Sequence, residues 1–220
     1  MADKRITDLP LISSGDVSSN DVLPIVNVEG DITNKIEISQ LKSYILSGVT
    51  GGYTYEIGQY VEDQGGVIFH RYLEGDSQNY LVVALTDQST SQAWSNIDTT
   101  LIGPSAQSLW DGLSNSNAIT GQTSFTNGAA LTCLNYSVGS INDWYLPSIQ
   151  ELNKLWNNYL EVSKTLSQTT GATQLQPADF WGSTEIGNSN AWFFNFGSGS
   201  ADTNGKADTG YVRAIRKFSL

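Results

Sequence analysis

The stretch NDWYLPSIQELNKLWNNYL, residues 142–160, carries the clearest helix signal in the chain and indicates where the core of the protein lies. Ser148 is a suitable N-cap, and Glu151 three residues later completes a capping box. Pro147 prevents an earlier start, because the residue before a proline is pushed out of the α region. Apolar residues then recur at helical spacing, which predicts a core helix with no chemistry of its own. They are Ile149, Leu152, Leu155, Trp156, Tyr159 and Leu160.

The composition is that of an acidic, loop-rich protein. Of 220 residues, 39% are hydrophobic and only 15% are charged, and 22 acidic side chains against 11 Lys and Arg give a formal net charge of −11. Nucleic-acid binding needs clustered positive charge, and anionic membranes repel an acidic surface, so we expect neither partner. No apolar run approaches the ~18 residues of a membrane span, and the N-terminal residues lack the apolar core of a secretion signal, so we expect synthesis in a cytosol and no membrane insertion.

The sequence does not indicate an active site or a cofactor. Cys133 is the single cysteine, in a short predicted helix over residues 128–136 whose apolar neighbours favour a buried, inert thiol. His70, the only histidine, is interpreted as a structural residue of a strand. Glycosidases need two placed carboxylates, and no acidic pair is marked out. We therefore predict a protein that is not an enzyme and binds no cofactor.

Residues 1–48 have the pattern of a small separate module. Two β-rich runs, residues 21–28 and 32–38, flank a Glu-Gly-Asp turn and predict a hairpin. Ser39 then caps a short predicted helix. A module of this size often depends on a partner or on oligomerisation for stability. Residues 49–52 are predicted as a linker to a larger domain over residues 53–220.

The larger domain begins with three predicted strands, residues 53–61, 65–72 and 79–85, the last two joined as a hairpin. Residues 86–127 are rich in Ser, Thr, Asn and Gly and are predicted to be ordered but irregular. Disordered segments have few aromatic residues, so Trp94 and Trp110 are interpreted as anchors that tie these loops to the core.

The closing segment, residues 180–217, alternates along one predicted strand. Trp192, Phe194 and Phe196 should face inward, which turns Phe193 and Asn195 outward. Residues 211–216 predict the last strand.

The turns of the closing segment also hold oxygen-bearing side chains. Asp202, Asn204 and Asp208 carry the kind of oxygens that Ca²⁺ prefers. Their spacing is not that of a known calcium loop, and acidic turns are usually solvated, so we predict no metal.

Residues 6–41 resemble the N-terminal attachment segments of bacteriophage fibre proteins. The similarity is carried by ITDLP at residues 6–10, DVLPIVN at 21–27 and KIEISQL at 35–41. It implies that residues 1–48 dock on other virion proteins, on a tail or a head, and that the chain lies on the particle surface after assembly in the host cytoplasm. Because fibre proteins are usually threefold, a homotrimer is expected.

The rest of the chain resembles the C-terminal domain of collagen-like bacterial adhesins, over residues 53–218. It is also similar to the variable domains of phage receptor-binding proteins that retroelements diversify. The resemblance implies an α+β, C-type-lectin-like fold with two helices, short twisted antiparallel strands and long ordered loops. The motifs that carry it, in order, are GGVIF (65–69), NDWYLPSIQEL (142–152), FWGSTE (180–185), AWFFNF (191–196) and YVRAIR (211–216).

This resemblance implies a receptor-binding role through the final loops, with a bacterial surface glycan or protein as ligand. Asn and Ser side chains suit sugar hydroxyls, and aromatic rings suit stacking on a sugar. A decoration or connector protein of the virion, whose polar loops only keep it soluble, is the alternative. For Phe193 the alternative to ligand contact is packing against another subunit of the oligomer. The resemblance also places the strands of Glu185 and Arg213 side by side, so we expect a buried ion pair between them. The predicted ligand-facing residues are Asn188, Asn190, Phe193, Asn195, Ser198, Ser200, Asn204 and Tyr211.

Overall fold

The structure, a computed structural model, describes the backbone of residues 22–27 and 32–37, and residues 53–75 and 77–220 in full. The chain divides into two compact units, residues 1–54 and 55–220. In the first unit, β1 (Val22–Asn27) pairs antiparallel with β2 (Ile32–Glu37), so the predicted hairpin is confirmed for these strands. The predicted helix after Ser39, the linker and most of the attachment segment lie outside the described residues.

The described part of the second unit combines a four-stranded sheet, in the order β11-β5-β4-β3, with a five-stranded sheet in the order β6-β10-β7-β8-β9. All pairs are antiparallel except β10 with β7. The strands are β3 (Tyr60–Val61), β4 (Gly66–Glu74), β5 (Ser77–Ala84), β6 (Ser89–Ala93), β7 (Asp179–Glu185), β8 (Asn190–Asn195), β9 (Ser200–Gly205), β10 (Thr209–Val212) and β11 (Ile215–Ser219). The helices are α1 (Gly112–Thr120), α2 (Ala129–Leu134), α3 (Ile149–Asn157) and α4 (Tyr159–Gln168).

The capping box predicted at residue 148 is present and starts α3. The Ser148 hydroxyl accepts the Glu151 N–H at 3.3 Å, and the Glu151 carboxylate accepts the Ser148 N–H at 2.7 Å. The predicted helix does not continue to residue 160, because Asn158 leaves the helical region with φ −116° and ψ 23° and the chain restarts as α4. Leu160 is consequently 72% exposed and does not join the core.

Side chains from both sheets and from α3 and α4 form one buried cluster. Phe194 and Phe196 face inward as predicted, with Phe196 packed edge-on against Phe180 at 4.9 Å between ring centroids. Trp192 is half-buried against the same cluster. The other fully or nearly fully buried members include Val67, Phe69, Leu81, Val83, Leu152, Leu155, Val162, Leu166 and Ile215. This is the C-type-lectin-like α+β architecture that the motifs imply, but the described residues form four helices where two were expected.

Two predicted strands are wrong in extent. Residues 53–61 contribute only the two residues of β3, because Gly58 takes a left-handed φ of 82° that an extended strand cannot hold. Residues 211–216 are not one strand, since β10 ends at Val212 in one sheet and β11 begins at Ile215 in the other. The β4–β5 hairpin is confirmed.

Residues 86–127 are more regular than predicted, because they contain β6 and α1. Asp111 caps α1 by accepting the Ser114 N–H at 2.9 Å, whereas the polar sequence of the helix lacks an apolar period. Trp94 is buried as predicted, and its Nε1–H donates to the Gly182 carbonyl at 2.8 Å. Trp110 is 74% exposed, so its interpretation as a core anchor is wrong.

The two ends of the second unit meet on the four-stranded sheet. The ring of Tyr55 packs edge-on against Phe218 with centroids 5.9 Å apart. The backbone N–H of Leu220 donates to the Gln78 carbonyl at 2.9 Å. Entry and exit of the chain therefore lie close together.

Cys133 lies in α2 and is completely buried, and this burial raises the pKa of its thiol above the usual range.

Within the described ranges, no helix is both long enough and apolar enough to span a bilayer.

Candidate functional site

Four of the predicted ligand-facing residues share one face of the five-stranded sheet, here called the outer face (Phe193, Asn195, Ser200 and Asn204). Asn190, the exposed first residue of β8, is instead on the side of Trp192 and Phe194. Residues directly opposite each other in an antiparallel pair point to the same side. Asn195 lies opposite Ser200, and Asn204 lies opposite Ala191, which is two residues from Phe193. Sequence alternation therefore predicted the direction of Phe193 and Asn195 correctly.

Tyr211 does not belong to this face. It pairs in parallel with Phe180, and the two rings lie 5.3 Å apart between centroids on the core side of the sheet. The assignment of Tyr211 to the ligand surface is therefore wrong. The side chain of Tyr211 points to the core because β10 pairs with β7, and no pattern in the sequence indicates that pairing.

The outer face is shallow. Phe193 is half-buried and meets Trp181 edge-on, with centroids 6.4 Å apart. Together with Asn204, Thr209 and Gly210 these rings border a depression of about 10 Å³. That volume is close to the space of one water molecule. Any ligand here must therefore bind to a nearly flat surface.

Asn195 shapes the turn that follows β8. Its Oδ1 accepts the backbone N–H groups of Gly197 and Ser198 at 2.9 and 2.8 Å, and its Nδ2 donates to Asp179 at 2.6 Å. The hydroxyls of Ser198 and Ser200 bond to each other at 2.8 Å. Of the predicted ligand-facing residues, Asn188, Asn190, Ser198, Ser200 and Asn204 are exposed.

Glu185 pairs with Lys206, so the predicted pair between Glu185 and Arg213 is wrong. The Lys206 Nζ lies 2.6 Å from Glu185 Oε1, and both side chains are completely buried. Lys206 also donates to the carbonyls of Thr100 and Asn188 at 2.9 and 2.8 Å. This one ammonium group therefore joins the loop before residue 104, the β7–β8 turn and the β9–β10 turn.

The carboxylate of Glu185 is satisfied by the same loop. It accepts the backbone N–H groups of Ile102 and Gly103 at 2.9 and 2.8 Å, in addition to Lys206. A buried charge pair is tolerated when hydrogen bonds satisfy its remaining polar atoms, as they do here.

Arg213 has a different partner, Asp87, at 2.7 Å from Nε to Oδ1. Its guanidinium also donates to the carbonyls of Ala84 and Thr173 at 2.8 and 3.0 Å. Burial raises the pKa of Asp87 despite the opposing charge of Arg213, and burial lowers the pKa of Arg213. The crossing between the two sheets is thus fixed by a second buried ion pair.

The turn oxygens considered for calcium mostly bond to nearby backbone. Asp202 Oδ1 accepts the Thr203 N–H at 2.7 Å, and Asp208 Oδ2 accepts the Gly205 N–H at 3.1 Å. The described residues contain no group of three His, Cys, Asp or Glu side chains placed to hold a metal ion.

A larger concavity, of about 540 Å³, lies on the four-stranded sheet and is here called the aromatic cleft. Its floor is formed by β4, β5 and β11, and its walls by the start of α1 and the first turns of α3. The floor residues used below are His70, Tyr72, Leu81 and Lys217, and the wall residues are Trp110, Gln150, Glu151 and Lys154.

Two polar side chains at the base of the aromatic cleft bond to each other. The Tyr145 hydroxyl donates to Glu151 Oε1 at 2.9 Å, while Glu151 Oε2 accepts the backbone N–H of Gly112 at 3.2 Å and that of Ser148. Burial raises the pKa of both groups. The capping box of α3 therefore also holds the start of α1 in place.

His70 and Lys217 both pack on Tyr72. The rings of His70 and Tyr72 stack with centroids 5.8 Å apart, and Lys217 Nζ lies 5.2 Å from the Tyr72 centroid. Burial, and then the positive charge of Lys154, lower the pKa of His70, so its imidazole is neutral at pH 7. A hydrogen bond with Tyr72 raises the pKa of Lys217.

Sequence reasoning did not assign any residue of the aromatic cleft to ligand binding. The cleft joins residues from four distant stretches of the chain, and only tertiary packing brings them together. The available signal was Trp110 itself, a tryptophan beside an N-cap aspartate in an otherwise polar stretch.

The two sheets and four helices of the described second unit define a lectin-like α+β domain. The chain belongs to the Lcl C-terminal domain family, whose model matches residues 83–216. The match includes both buried ion pairs and the whole closing segment up to β11, but not the strands of the first unit. No curated protein matches the chain.

Proposed function

We propose that the chain is a surface appendage of a bacteriophage virion and that its lectin-like unit attaches the particle to the host cell. The family supports the binding role of this unit. The similarity of residues 6–41 to fibre attachment segments supports docking of residues 1–48 on other virion proteins. In this proposal the chain is a homotrimer on the particle surface, and its ligand is a bacterial surface glycan or protein.

The observation that carries the proposal is the way the exposed turns are fixed. The side chains of Asn188, Asn190 and Asn204 are exposed, yet the Asn188 carbonyl is bonded from below by the buried Lys206 ammonium. Glu185 holds the same ammonium and the neighbouring loop. Rigid turns that present hydrogen-bonding groups lose little conformational entropy when a ligand binds.

A second candidate function is a decoration or connector protein of the virion. It is favoured by the flatness of the outer face, where the depression beside Phe193 holds only about 10 Å³. In that function the polar turns serve solubility, and Phe193 packs against a neighbouring subunit.

Attachment is tested with the labelled full-length chain on cells of the host strain. We expect saturable binding, and competition with adsorption of the intact virion. The triple variant Asn188→Ala, Asn190→Ala, Asn204→Ala tests the turns. The matched control replaces three exposed asparagines of other surfaces, Asn117, Asn135 and Asn142, by alanine.

Weaker attachment of the first triple variant alone, with an unchanged melting temperature, supports recognition through the turns. If the parent chain neither binds cells nor competes with virions, the attachment function is wrong and the connector function is favoured.

A further inference from the structure

We propose that the aromatic cleft is a carbohydrate site, separate from the outer face, that takes a pyranose ring. The ring stacks on Trp110, and its hydroxyls bond to Gln150, Lys154 and His70. The inference deepens the proposed function, and it rests on that function only for the source of the sugar, a glycan of the host surface.

Trp110 is an open aromatic platform on a fixed backbone. Its side chain is 74% exposed, although tryptophan side chains are large and on average highly buried. The backbone N–H of Trp110 donates to Ser108 Oγ at 3.3 Å, and the following residue, Asp111, caps α1. Leu113 is also exposed and borders the cleft. The backbone held in this way presents the exposed indole as an apolar face for the C–H side of a sugar.

Hydrogen-bonding groups face this platform from α3. Gln150 and Lys154 are one helical turn apart and therefore lie on the same side of the helix. Both are exposed, and neither side chain makes a hydrogen bond within the described part of the chain. The Gln150 N–H donates to the Leu109 carbonyl at 3.0 Å, which fixes the distance between the helix and the segment that carries Trp110.

Some of the remaining side chains of the cleft are available to a ligand, whereas others already bond to or pack on each other. Tyr145 and Glu151 bond to each other, and Tyr72 is covered by His70 and Lys217. His70 is neutral near pH 7 and therefore donates from one ring nitrogen and accepts at the other, which suits a hydroxyl. Stacking thus falls to Trp110, and hydrogen bonding to the side chains around it.

The size of the cleft agrees with a small ligand. About 540 Å³ lies within the range of roughly 300–1,000 Å³ that is typical of small-molecule sites. The outer face, with about 10 Å³, offers no comparable concavity. A single sugar with its neighbours in a chain therefore fits the cleft better than the predicted surface.

The test uses the full-length chain and a panel of neutral hexoses and N-acetylhexosamines, observed by saturation-transfer NMR and by tryptophan fluorescence. We expect at least one sugar to show saturation transfer and to change the tryptophan fluorescence. Trp110→Ala should weaken that binding at least about tenfold, Trp110→Phe should weaken it less, and Gln150→Ala should weaken it as well. Leu160→Ala, which removes an equally exposed side chain from α4, should leave it unchanged.

Three results overturn the site. The first is that no sugar of the panel binds, and the second is that Trp110→Ala binds as the parent does. The third is a change of oligomeric state in Trp110→Ala, because the ring then belongs to a subunit interface. The outcome is separable from the attachment function. Sugar binding without attachment to cells retains the site and contradicts the function, whereas attachment without sugar binding contradicts only the site.

Discussion

Lys206 joins three loops of the second unit through a single ammonium group, and we predict that removing either partner of its ion pair is costly. Glu185→Gln or Lys206→Met leaves one buried group without its counter-charge, so each should lower the free energy of unfolding by about 3–5 kcal/mol. Urea denaturation measures the change.

The control is Glu56→Gln, which breaks the more exposed pair with Arg71 and should cost at most about 1 kcal/mol. Equal effects of the buried and the exposed substitutions would contradict the structure around residue 206. Because Glu185 and Arg213 have different partners, the effects of substituting them should add.

His70 should make stability fall on mild acidification. Its pKa in the folded protein is lowered, so the unfolded chain binds the proton more tightly. The stabilising contribution of the neutral imidazole is fully present above pH ~6.5, the unfolded pKa, and is lost as the pH falls through the folded pKa.

In His70→Gln that loss is absent. The measurement is the melting temperature of parent and variant at pH 7.5 and in steps below pH ~6.5. We expect the difference between parent and variant to shift in favour of the variant as the pH decreases. A difference that stays constant over these steps means that the imidazole is not in the surroundings described.

The start of α3 is an element whose stability is determined locally, so a single substitution there has a defined effect. Ser148→Ala removes the acceptor for the Glu151 N–H and should lower the free energy of unfolding by about 1 kcal/mol. Ser105→Ala, at an exposed serine, is the matched control and should be neutral. Chemical denaturation compares the two, and an unaffected Ser148→Ala variant would show that the cap contributes nothing.

Phe193 on β8 distinguishes a ligand surface from a subunit interface. In Phe193→Ala, loss of attachment to host cells with an unchanged oligomer and melting temperature indicates a ligand surface. Loss of the oligomer indicates an interface. Since Trp181 of the same chain already covers part of the ring, we expect the first result. If neither property changes, both interpretations of Phe193 are wrong.

Elements with local signals could be predicted from the sequence, and elements that depend on distant pairing could not. The capping box of Ser148 and Glu151 acts over three residues, and the alternation around Phe194 acts along one strand. The ion-pair partner of Glu185 is instead Lys206, which lies 21 residues later in the β9–β10 turn. The direction of the Tyr211 side chain depends on the parallel pairing of β10 with β7. The aromatic cleft depends on the meeting of β4, β11, α1 and α3, for which a single sequence holds no pattern.

At the scale of the whole molecule, we predict that the full-length chain is a trimer. The first unit comprises residues 1–54, and domains of about fifty residues often need symmetric association for stability because they can bury little apolar surface alone. Sedimentation equilibrium should give three times the chain mass of 23.9 kDa. Only monomer at micromolar concentration would contradict this expectation.

The meeting of Tyr55 with Phe218 has an evolutionary consequence. A folded unit whose polypeptide enters and leaves at one place can be spliced into a loop of an unrelated protein without forcing the flanking segments apart. It can equally be appended to a stalk, and a circular permutant that joins residues 55 and 218 by a short bridge should still fold. With this geometry, recombination can move the unit between carrier proteins of different architecture while its own fold and surface stay intact.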